Sequence, residues 1–206
     1  KTNGEVYKVK PGNSKYVDIN KDGVYNDADQ GIIGCGQPTF NWGWNNTFNY
    51  KNFDFSFFVV GFHGFDIYNA THQMGYNLIK SQQVAGVTPM RELLNRWTPT
   101  NTNTNIPGFV NGGTENKDFF STRFVENGSF IKMKSITLGY TLPETACRAL
   151  GITNLRVYAS VQNPFHITNY SGLDPEATMG SPLVQGVDWG SYPNSRNYLI
   201  GLNFSF

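Results

Sequence analysis

The sequence predicts an all-β fold, a segment of a transmembrane antiparallel β-barrel with long extracellular loops. Three observations indicate this class: apolar and polar residues alternate, aromatic residues are abundant, and the connections are alternately short and long. Aromatic residues are 15% of the chain and charged residues are also only 15%, whereas charged residues usually make up about a quarter of a globular domain. This balance suits barrel strands, because one face of each strand meets lipid.

The segment 196–206 shows the alternation most clearly. One face carries Tyr198, Ile200, Leu202, Phe204 and Phe206. The other face carries Asn197, Gly201, Asn203 and Ser205, with Leu199 as the apolar exception. Strict alternation predicts a strand with one apolar face, and a terminal aromatic is typical of a barrel strand that ends at the membrane interface. We therefore expect the first set to face lipid and the polar residues of the second set to face the lumen.

Four further strands are predicted from the same pattern. They cover residues 38–50, 53–63, 129–142 and 155–162. Lys51 and Asn52 form the tight turn of a hairpin between the first two. Residues 66–80 have apolar side chains at helical spacing, and residues 144–150 are predicted to form a short helix with Gly151 as its C-cap.

The connections between these strands alternate in length. Residues 51–52 and 143–153 are short connections, whereas residues 64–128 and 167–194 are long ones. Outer-membrane barrels have short periplasmic turns and long extracellular loops, so a periplasmic C-terminus would place both long loops outside. A few strands cannot close a barrel, and open sheet edges are not tolerated in lipid. We therefore expect this chain to be the C-terminal part of a larger protein, with a soluble β-sandwich as the alternative fold.

Residues 18–29 match a calcium-binding loop. Oxygen-bearing side chains occupy positions 1, 3, 5, 9 and 12, Gly23 occupies position 6, and Val24 offers its backbone carbonyl at position 7. The predicted ligands of a structural Ca²⁺ ion are Asp18, Asn20, Asp22, Val24, Asn26 and Asp29. Position 12 is Asp instead of a bidentate Glu, and the alternative is a turn rich in Asp and Asn. The chain then divides into an extracellular loop with a calcium-type motif (1–37) and the strands and loops of the barrel (38–206).

The remaining polar residues carry no enzyme signature. Asp174 and Glu176 are loop carboxylates without a partner base, nucleophile or oxyanion donor, and the 3 histidines are scattered. We therefore predict that the protein is not an enzyme, and we assign no substrate-binding residue. Lys132 and Lys134 share a face with Ile136 by simple alternation, so they are expected just above the hydrocarbon zone.

Charge and cysteine content exclude two further possibilities. The net charge is +1 without a basic stripe, which argues against a nucleic acid partner. Cys35 precedes a strand at its extracellular end, and Cys147 lies in a periplasmic turn. The hydrocarbon layer is about 30 Å thick, whereas a disulfide needs Cα atoms within about 7 Å. The topology therefore excludes a Cys35–Cys147 disulfide.

Several ordered motifs run along the whole chain. They are DINKDG (18–23), NNTF (45–48), RWTP (96–99), NGSFIKMKSITLGYTLP (127–143), NLRVYASVQNPF (154–165), YSGLDPE (170–176) and GVDWGSYP (186–193). Together they resemble the C-terminal barrel portion of the SusC-like TonB-dependent transporters of Bacteroidetes, the RagA/SusC family.

The resemblance implies a barrel of about 22 strands in the bacterial outer membrane, of which these would be the last. The plug and the TonB-contacting segment would lie in sequence outside this chain. It also implies a nutrient importer that works with a SusD-like surface lipoprotein, takes up oligosaccharides or peptides, and is energised through TonB. The alternative function is a soluble, calcium-stabilised carbohydrate-binding β-domain. In that domain the aromatic residues Tyr68, Tyr76, Trp97 and Trp189 would stack on sugar rings.

Overall fold

The computed structural model describes residues 11–24, 26–76, 89–108, 121–149, 151–179 and 184–206. Its strands are β1 (Phe40–Tyr50), β2 (Phe53–His63), β3 (Asp66–Asn69), β4 (Val125–Asn127), β5 (Phe130–Thr141), β6 (Asn154–Gln162), β7 (His166–Thr168), β8 (Val187–Asp188) and β9 (Asn197–Ser205). Its α-helices are α1 (Ala70–Tyr76) and α2 (Glu144–Ala149). Short 3₁₀ segments are Asp27–Asp29, Arg91–Asn95, Thr122–Phe124 and Pro175–Met179.

The long strands form one antiparallel sheet with the order β1-β2-β5-β6-β9, and β7 pairs with β5 beyond the end of β6. A small sheet has the order β4-β3-β8. All five strands predicted from alternation are therefore confirmed. The prediction of a helix over residues 66–80 is wrong at its start, because Asp66–Asn69 is strand β3 and the helix begins at Ala70. Pairing with two neighbouring strands outweighs the local helical spacing there, and residues 77–80 lie outside the described residues.

The short connections are built as the sequence predicts. Lys51 adopts a left-handed φ of 53° in the hairpin turn. Asn52 then supports the turn from its side chain, since its Nδ2 donates to the Thr141 carbonyl over 2.7 Å. Helix α2 ends at Ala149, and Gly151 follows it with a φ of 72°, the left-handed conformation that a glycine C-cap supplies.

A β-bulge interrupts the pairing of β2 with β5. Phe58 lies opposite Ser135, but Val59 lies opposite Met133, so Lys134 has no counterpart on β2. The neighbouring strand is broken at the same level: Asn163 N–H donates to the Lys134 carbonyl over 2.9 Å, and Met133 N–H donates to the Phe165 carbonyl over 3.1 Å. An extra residue of this kind moves every side chain beyond it to the opposite face of the sheet.

The chain separates into two compact units. The first comprises Lys1–Gly34 and Tyr68–Val125, and the second comprises Cys35–Ile67 and Glu126–Phe206. The apolar core of the second unit consists of Phe65, Ile67, Phe130 and Tyr170, with Phe62 packed against it. Within the described part of the chain, no helix is both long and apolar enough to cross a membrane.

Candidate functional site

The sheet has one apolar face that is exposed to solvent. On this face the strand register aligns apolar side chains row by row, for example Phe55 opposite Leu138 and Tyr198 opposite Val161. The exposed fraction is 54% for Trp44 and 61% for Leu202. The exposed members of this face are Phe40, Trp44, Phe48, Tyr50, Phe53, Phe55, Leu138, Tyr198, Ile200, Leu202 and Phe204. The predicted alternation is therefore confirmed for Asn197–Ser205, because Asn197, Asn203 and Ser205 pair into the opposite face. Phe206 lies beyond the end of the strand.

The opposite face is mostly polar, with Phe58 and Leu199 as exposed apolar exceptions. It contains an ion pair that joins β2 to β6 across β5. Asp54 on β2 accepts two hydrogen bonds from Arg156 on β6, at 2.8 Å from Nε and 2.5 Å from Nη2. Gly139 on β5 lies between them, and a Cβ there would lie 2.3 Å from Asp54 Oδ1. The glycine therefore permits this bidentate contact by carrying no side chain. In the same row as Asp54 and Gly139, the ring of Tyr158 lies over Gly201 of β9.

The sequence contains a signal for this pair. Asp54 and Arg156 each fall on the polar side of a strand that is predicted by alternation, among neutral residues. Two opposite charges on the same face of nearby strands favour an ion pair. The sequence does not show which strand lies between them, and therefore does not assign a role to Gly139.

A second ionic cluster joins β5 to residues 169–179, which we call the strap. Lys132 Nζ lies 2.8 Å from Asp174 Oδ2 and 2.7 Å from Glu176 Oε2. Lys134 Nζ pairs with Glu176 Oε1. The backbone N–H of Asn194 donates to Asp174 over 3.1 Å, and its side-chain amide donates to Glu176 over 2.9 Å. The loop carboxylates thus have cationic partners that the sequence did not reveal.

The placement of Lys132 corrects the prediction made for the two lysines. Simple alternation puts Lys132 on the face of Ile136, but the bulge at Lys134 places Lys132 opposite Val60, on the other face. The Lys132 side chain is only 2% exposed. Burial would disfavour its charge, and the two carboxylates offset that cost.

The cluster keeps its carboxylates ionised. Burial raises the pKa of Asp174, but hydrogen bonds from Lys132 and from the Asn194 backbone outweigh it, and the net pKa lies below the usual value of 3.8. For Glu176, burial again raises the pKa, and the hydrogen bonds from Lys132 and Lys134 bring it below the usual 4.5. Both groups are therefore anionic at neutral pH.

Above the cluster, the strap is fixed by a buried tyrosine. Tyr170 is 5% exposed, and its hydroxyl donates to Asp188 Oδ2 over 2.5 Å. Burial, followed by the hydrogen bond to Asp188, raises the pKa of Tyr170 well above its usual value of 10. Asp188 Oδ1 in turn accepts from the backbone of Gly190 and Ser191 at 2.9 and 3.0 Å, so one carboxylate orders the turn that follows.

The calcium-type loop is closed by its own hydrogen bonds. Asp18 Oδ2 accepts from Gly23 N–H over 2.8 Å, and Asp22 Oδ1 accepts from Val24 N–H over 2.7 Å. Asp29 accepts from Ile19 N–H over 2.8 Å and from Asn26 N–H over 2.9 Å. Position 1 of the motif is the informative one, because Asp18 Oδ1 is buried and has no hydrogen-bond partner among the residues that the structure describes. Such an oxygen fits a cation. Among the described residues, however, no group of three or more His, Cys, Asp or Glu side chains is close enough together to hold a metal ion.

The backbone N–H groups around Asp29 also affect its charge. The hydrogen bond from Asn26 is the largest influence and lowers the pKa of Asp29 below 3.8, although burial raises it. Asp29 is therefore anionic at neutral pH. The positive φ of Gly23, 80°, is the turn that position 6 of a calcium loop requires.

The aromatic residues that could stack on sugars have different environments. Tyr68 is buried, and the ring of Trp97 lies against Gly12. Tyr76 donates its hydroxyl to Glu92 and has Arg123 at 5.5 Å from its ring centroid. Burial, followed by the bond to Glu92, raises the pKa of Tyr76 to about 12. Trp189 is exposed at 57%, so it is the member of this set that is most available to a ligand.

The histidines and cysteines take separate structural positions. His63 stacks on Phe40 with ring centroids 5.0 Å apart, whereas His72 lies 3.5 Å from a Glu92 oxygen. Cys35 is exposed and Cys147 is buried in α2, and both are free thiols.

Comparison with known proteins identifies relatives of the chain. It is 35% identical to "TonB-dependent receptor P3" of Formosa agariphila over 202 residues, which are 95% of this chain and 19% of that protein. It is 30% identical to "TonB-dependent receptor SusC" of Bacteroides thetaiotaomicron over 198 residues, 96% of this chain and 18% of that protein. The chain is a relative of the SusC-type TonB-dependent receptors.

Solved structures agree with this relationship. The RagAB peptide importer in its closed-closed state superposes with a TM-score of 0.72 and 26% identity, covering 89% of this chain and 19% of that one. The open-open state of the same importer gives a TM-score of 0.65 over 82% of this chain. No protein-family profile matches the chain. The chain spans about a fifth of the length of its curated relatives, 19% and 18% of the two named above.

Proposed function

We propose that this chain forms part of the barrel wall of a TonB-dependent outer-membrane importer. The observation that carries the proposal is the continuous exposed apolar face on a sheet whose other face is polar. Soluble monomers rarely expose contiguous apolar patches larger than a few hundred Å². A barrel wall requires this arrangement, because lipid covers the outer face and the polar face lines the lumen.

The sheet edges support a larger closed structure. Strands β1 and β9 are the two ends of the sheet order, and each would present unpaired backbone groups to lipid. Unpaired backbone groups in hydrocarbon cost several kcal/mol each, so spanning sheets close into barrels. With the resemblance to the SusC type, the neighbours of β1 and β9 are further strands of a barrel of about 22.

The orientation follows from the lengths of the connections. The periplasmic side carries the turn at Lys51, which joins β1 to β2, and helix α2, which lies between β5 and β6. Phe206 lies on the same side. Residues 1–37, the strap and the other long connections lie at the cell surface. This orientation is that of barrels with short periplasmic turns.

The cargo and partners are proposed from the relatives. RagAB is a peptide importer, and relatives of the SusC type are TonB-dependent receptors. We propose that the complete protein takes up oligosaccharides or peptides with a SusD-like lipoprotein as its partner and TonB as its energy source. The chain serves transport and is not an enzyme.

Site-directed spin labelling tests the barrel proposal. Leu202→Cys and Asn203→Cys are adjacent residues on opposite faces of β9, so they form a matched pair. They are made in the full-length protein in outer-membrane lipid, with the exposed Cys35 replaced by Ser. A label at residue 202 should collide mainly with oxygen dissolved in lipid, and a label at 203 mainly with a water-soluble nickel complex. Equal accessibility of both labels to the nickel complex, in a protein that stays monomeric without detergent, would instead support the soluble carbohydrate-binding domain.

We also propose that residues 18–29 bind a structural calcium ion. The buried Oδ1 of Asp18, which has no hydrogen-bond partner within the described part of the chain, supports this. Asn20, Asp22, the Val24 carbonyl, Asn26 and Asp29 would complete the oxygen set. Ca²⁺ prefers six to eight hard oxygens, of which these residues supply most. When bound, the ion would neutralise the carboxylates and hold this extracellular loop closed.

Calorimetric titration of the full-length protein with CaCl₂ tests the site. We expect binding of one equivalent that Asp18→Asn weakens by tenfold or more, since that change removes one anionic ligand but keeps the side-chain shape. Lys21→Gln is the matched control in the same loop, because its side chain is not a predicted ligand. Equal calcium affinity in the Asp18→Asn and Lys21→Gln proteins would exclude this loop as the site.

A further inference from the structure

The strap is more deeply buried than a surface connection usually is. Tyr170 is 5% exposed, Asp174 and Thr178 are each 3% exposed, and Pro175 is fully buried. Connections generally run over the surface, because a buried loop leaves its polar groups without water. The strap therefore depends on partners supplied by the rest of the second unit.

Those partners are distant in sequence and of two kinds. On one side of the strap, the ring of Tyr170 enters the apolar core, and the side chain and backbone N–H of Ser171 both donate to Glu126 over 2.8 Å. On the other side, Asp174 and Glu176 meet Lys132 and Lys134 of β5. The second attachment consists of charges, and Lys132 is the cation that contacts both carboxylates. Asn194 adds a neutral hydrogen bond to each of them.

The two lysines are not equivalent. Lys132 is 2% exposed and Lys134 is 29% exposed. Removing Lys132 would leave Asp174, a 3% exposed carboxylate, without its cation and close to a second carboxylate. Removing Lys134 would leave Lys132 between both acids, and water can reach the remaining oxygen of Glu176.

We infer that Lys132 anchors the strap to the sheet, so that the strap and β5 move as one body. The strap is then a fixed part of the molecule's loop region and does not act as a mobile lid. The inference concerns only the second unit and holds whether or not the protein is an importer. If it is an importer, opening and closing of its entrance depend on segments other than residues 169–179.

Hydrogen exchange of the full-length protein in detergent micelles tests this inference. The measurement compares amides of residues 169–179 with those of strand β6, in the wild type, Lys132→Met and Lys134→Met proteins. In Lys132→Met we expect strap exchange to rise by about a hundredfold or more, with β6 unchanged. In Lys134→Met, the matched control, we expect a rise of no more than about fivefold. Strap protection that survives in Lys132→Met, or strap and β6 exchange that rise together, would overturn the inference.

A second variant keeps the test decisive if Lys132→Met does not fold. Glu176→Gln retains the Lys132–Asp174 pair and removes one charge from the cluster. Strap exchange should then rise by about tenfold while β6 keeps its wild-type protection, because only part of the attachment is lost. An unchanged strap in this variant would show that the charges do not hold it in place.

Discussion

The calcium-type loop and the strap are both polar loops with several carboxylates. They differ in how far apart in the sequence their hydrogen-bonded residues are. In residues 18–29, the bonds join residues that are 2 to 10 positions apart. In the strap, Lys132 and Asp174 are 42 positions apart, and Ser171 and Glu126 are 45 apart. The first loop can close by itself, whereas the second is ordered only when the sheet beneath it has formed. Short motifs in a sequence therefore identify loops of the first kind and miss loops of the second.

The largest expected effect is the loss of a long-range carboxylate. Asp174→Ala leaves the buried Lys132 with one carboxylate and removes the acceptor of the Asn194 N–H. We expect a loss of about 3 kcal/mol in the free energy of unfolding. Chemical unfolding of the full-length protein in micelles measures it. A loss no greater than that of an exposed substitution such as Glu144→Ala would mean that the strap is held by its apolar contacts alone.

Loss of the Tyr170 hydroxyl should lower the free energy of unfolding by less than loss of the Asp174 carboxylate. Tyr170→Phe keeps the ring in the core but removes the donor to Asp188, which is itself 6% exposed. Loss of a hydrogen bond to a buried acceptor costs about 1–3 kcal/mol, and the ring contacts remain. The same unfolding measurement checks this value. A result near zero would show that another donor replaces the tyrosine.

The calcium-type loop should tolerate substitution in the absence of metal. Asn20 is exposed, and its side chain is hydrogen-bonded to Asp22. In a calcium-free buffer, Asn20→Ala should change the free energy of unfolding by no more than about 0.5 kcal/mol. With calcium added, the wild type should gain protease resistance in this loop and the variant should gain less. A large loss in the free energy of unfolding without calcium would mean that this loop, like the strap, does not tolerate substitution.

The smallest expected effect is a response to mild acid. The folded pKa values of Asp29, Asp174 and Glu176 are all lowered. A lowered carboxylate pKa contributes stability that is complete above the unfolded pKa and is lost as pH falls through the folded pKa. Both loops should therefore keep their protease resistance from pH 7 to pH 5.5, and should lose it only below about pH 4. Release of the strap between pH 7 and pH 5.5 would contradict the ionised cluster.

The parts of this fold that could be predicted are those fixed by local patterns. The strand of segment 196–206, the hairpin turn at Lys51 and the C-cap at Gly151 all follow from the chemistry of neighbouring residues. Simple alternation puts Lys132 on the wrong face, because a single bulge at Lys134 reverses the alternation and a bulge depends on the partner strand. Likewise, local spacing predicts a helix where β3 forms, because the strands that pair with β3 are distant in sequence.

The candidate sites also differ in how far the sequence alone predicts them. The geometry of residues 18–29, including the turn at Gly23, can be derived from spacing alone. The partners of Asp174 could not be derived, because Lys132 lies 42 positions away in the sequence and Asn194 lies 20 positions away. Asp54 and Arg156 are intermediate: alternation puts both on polar faces, but the distance between them depends on the strand order.

The contact between Asp54, Gly139 and Arg156 affects which substitutions related sequences can accept at these three positions. A Cβ at position 139 would lie 2.3 Å from Asp54 Oδ1 and 2.5 Å from Arg156 Nη2, so a side chain there would force the Asp54 and Arg156 side chains to move and would disturb their bidentate contact. We expect that loss of the glycine is tolerated more readily where residue 54 or 156 no longer carries its charge. Among homologous chains, these three positions should therefore show covariation, although they are up to 102 residues apart in sequence. Such covariation would indicate from an alignment alone that β2, β5 and β6 are neighbouring strands.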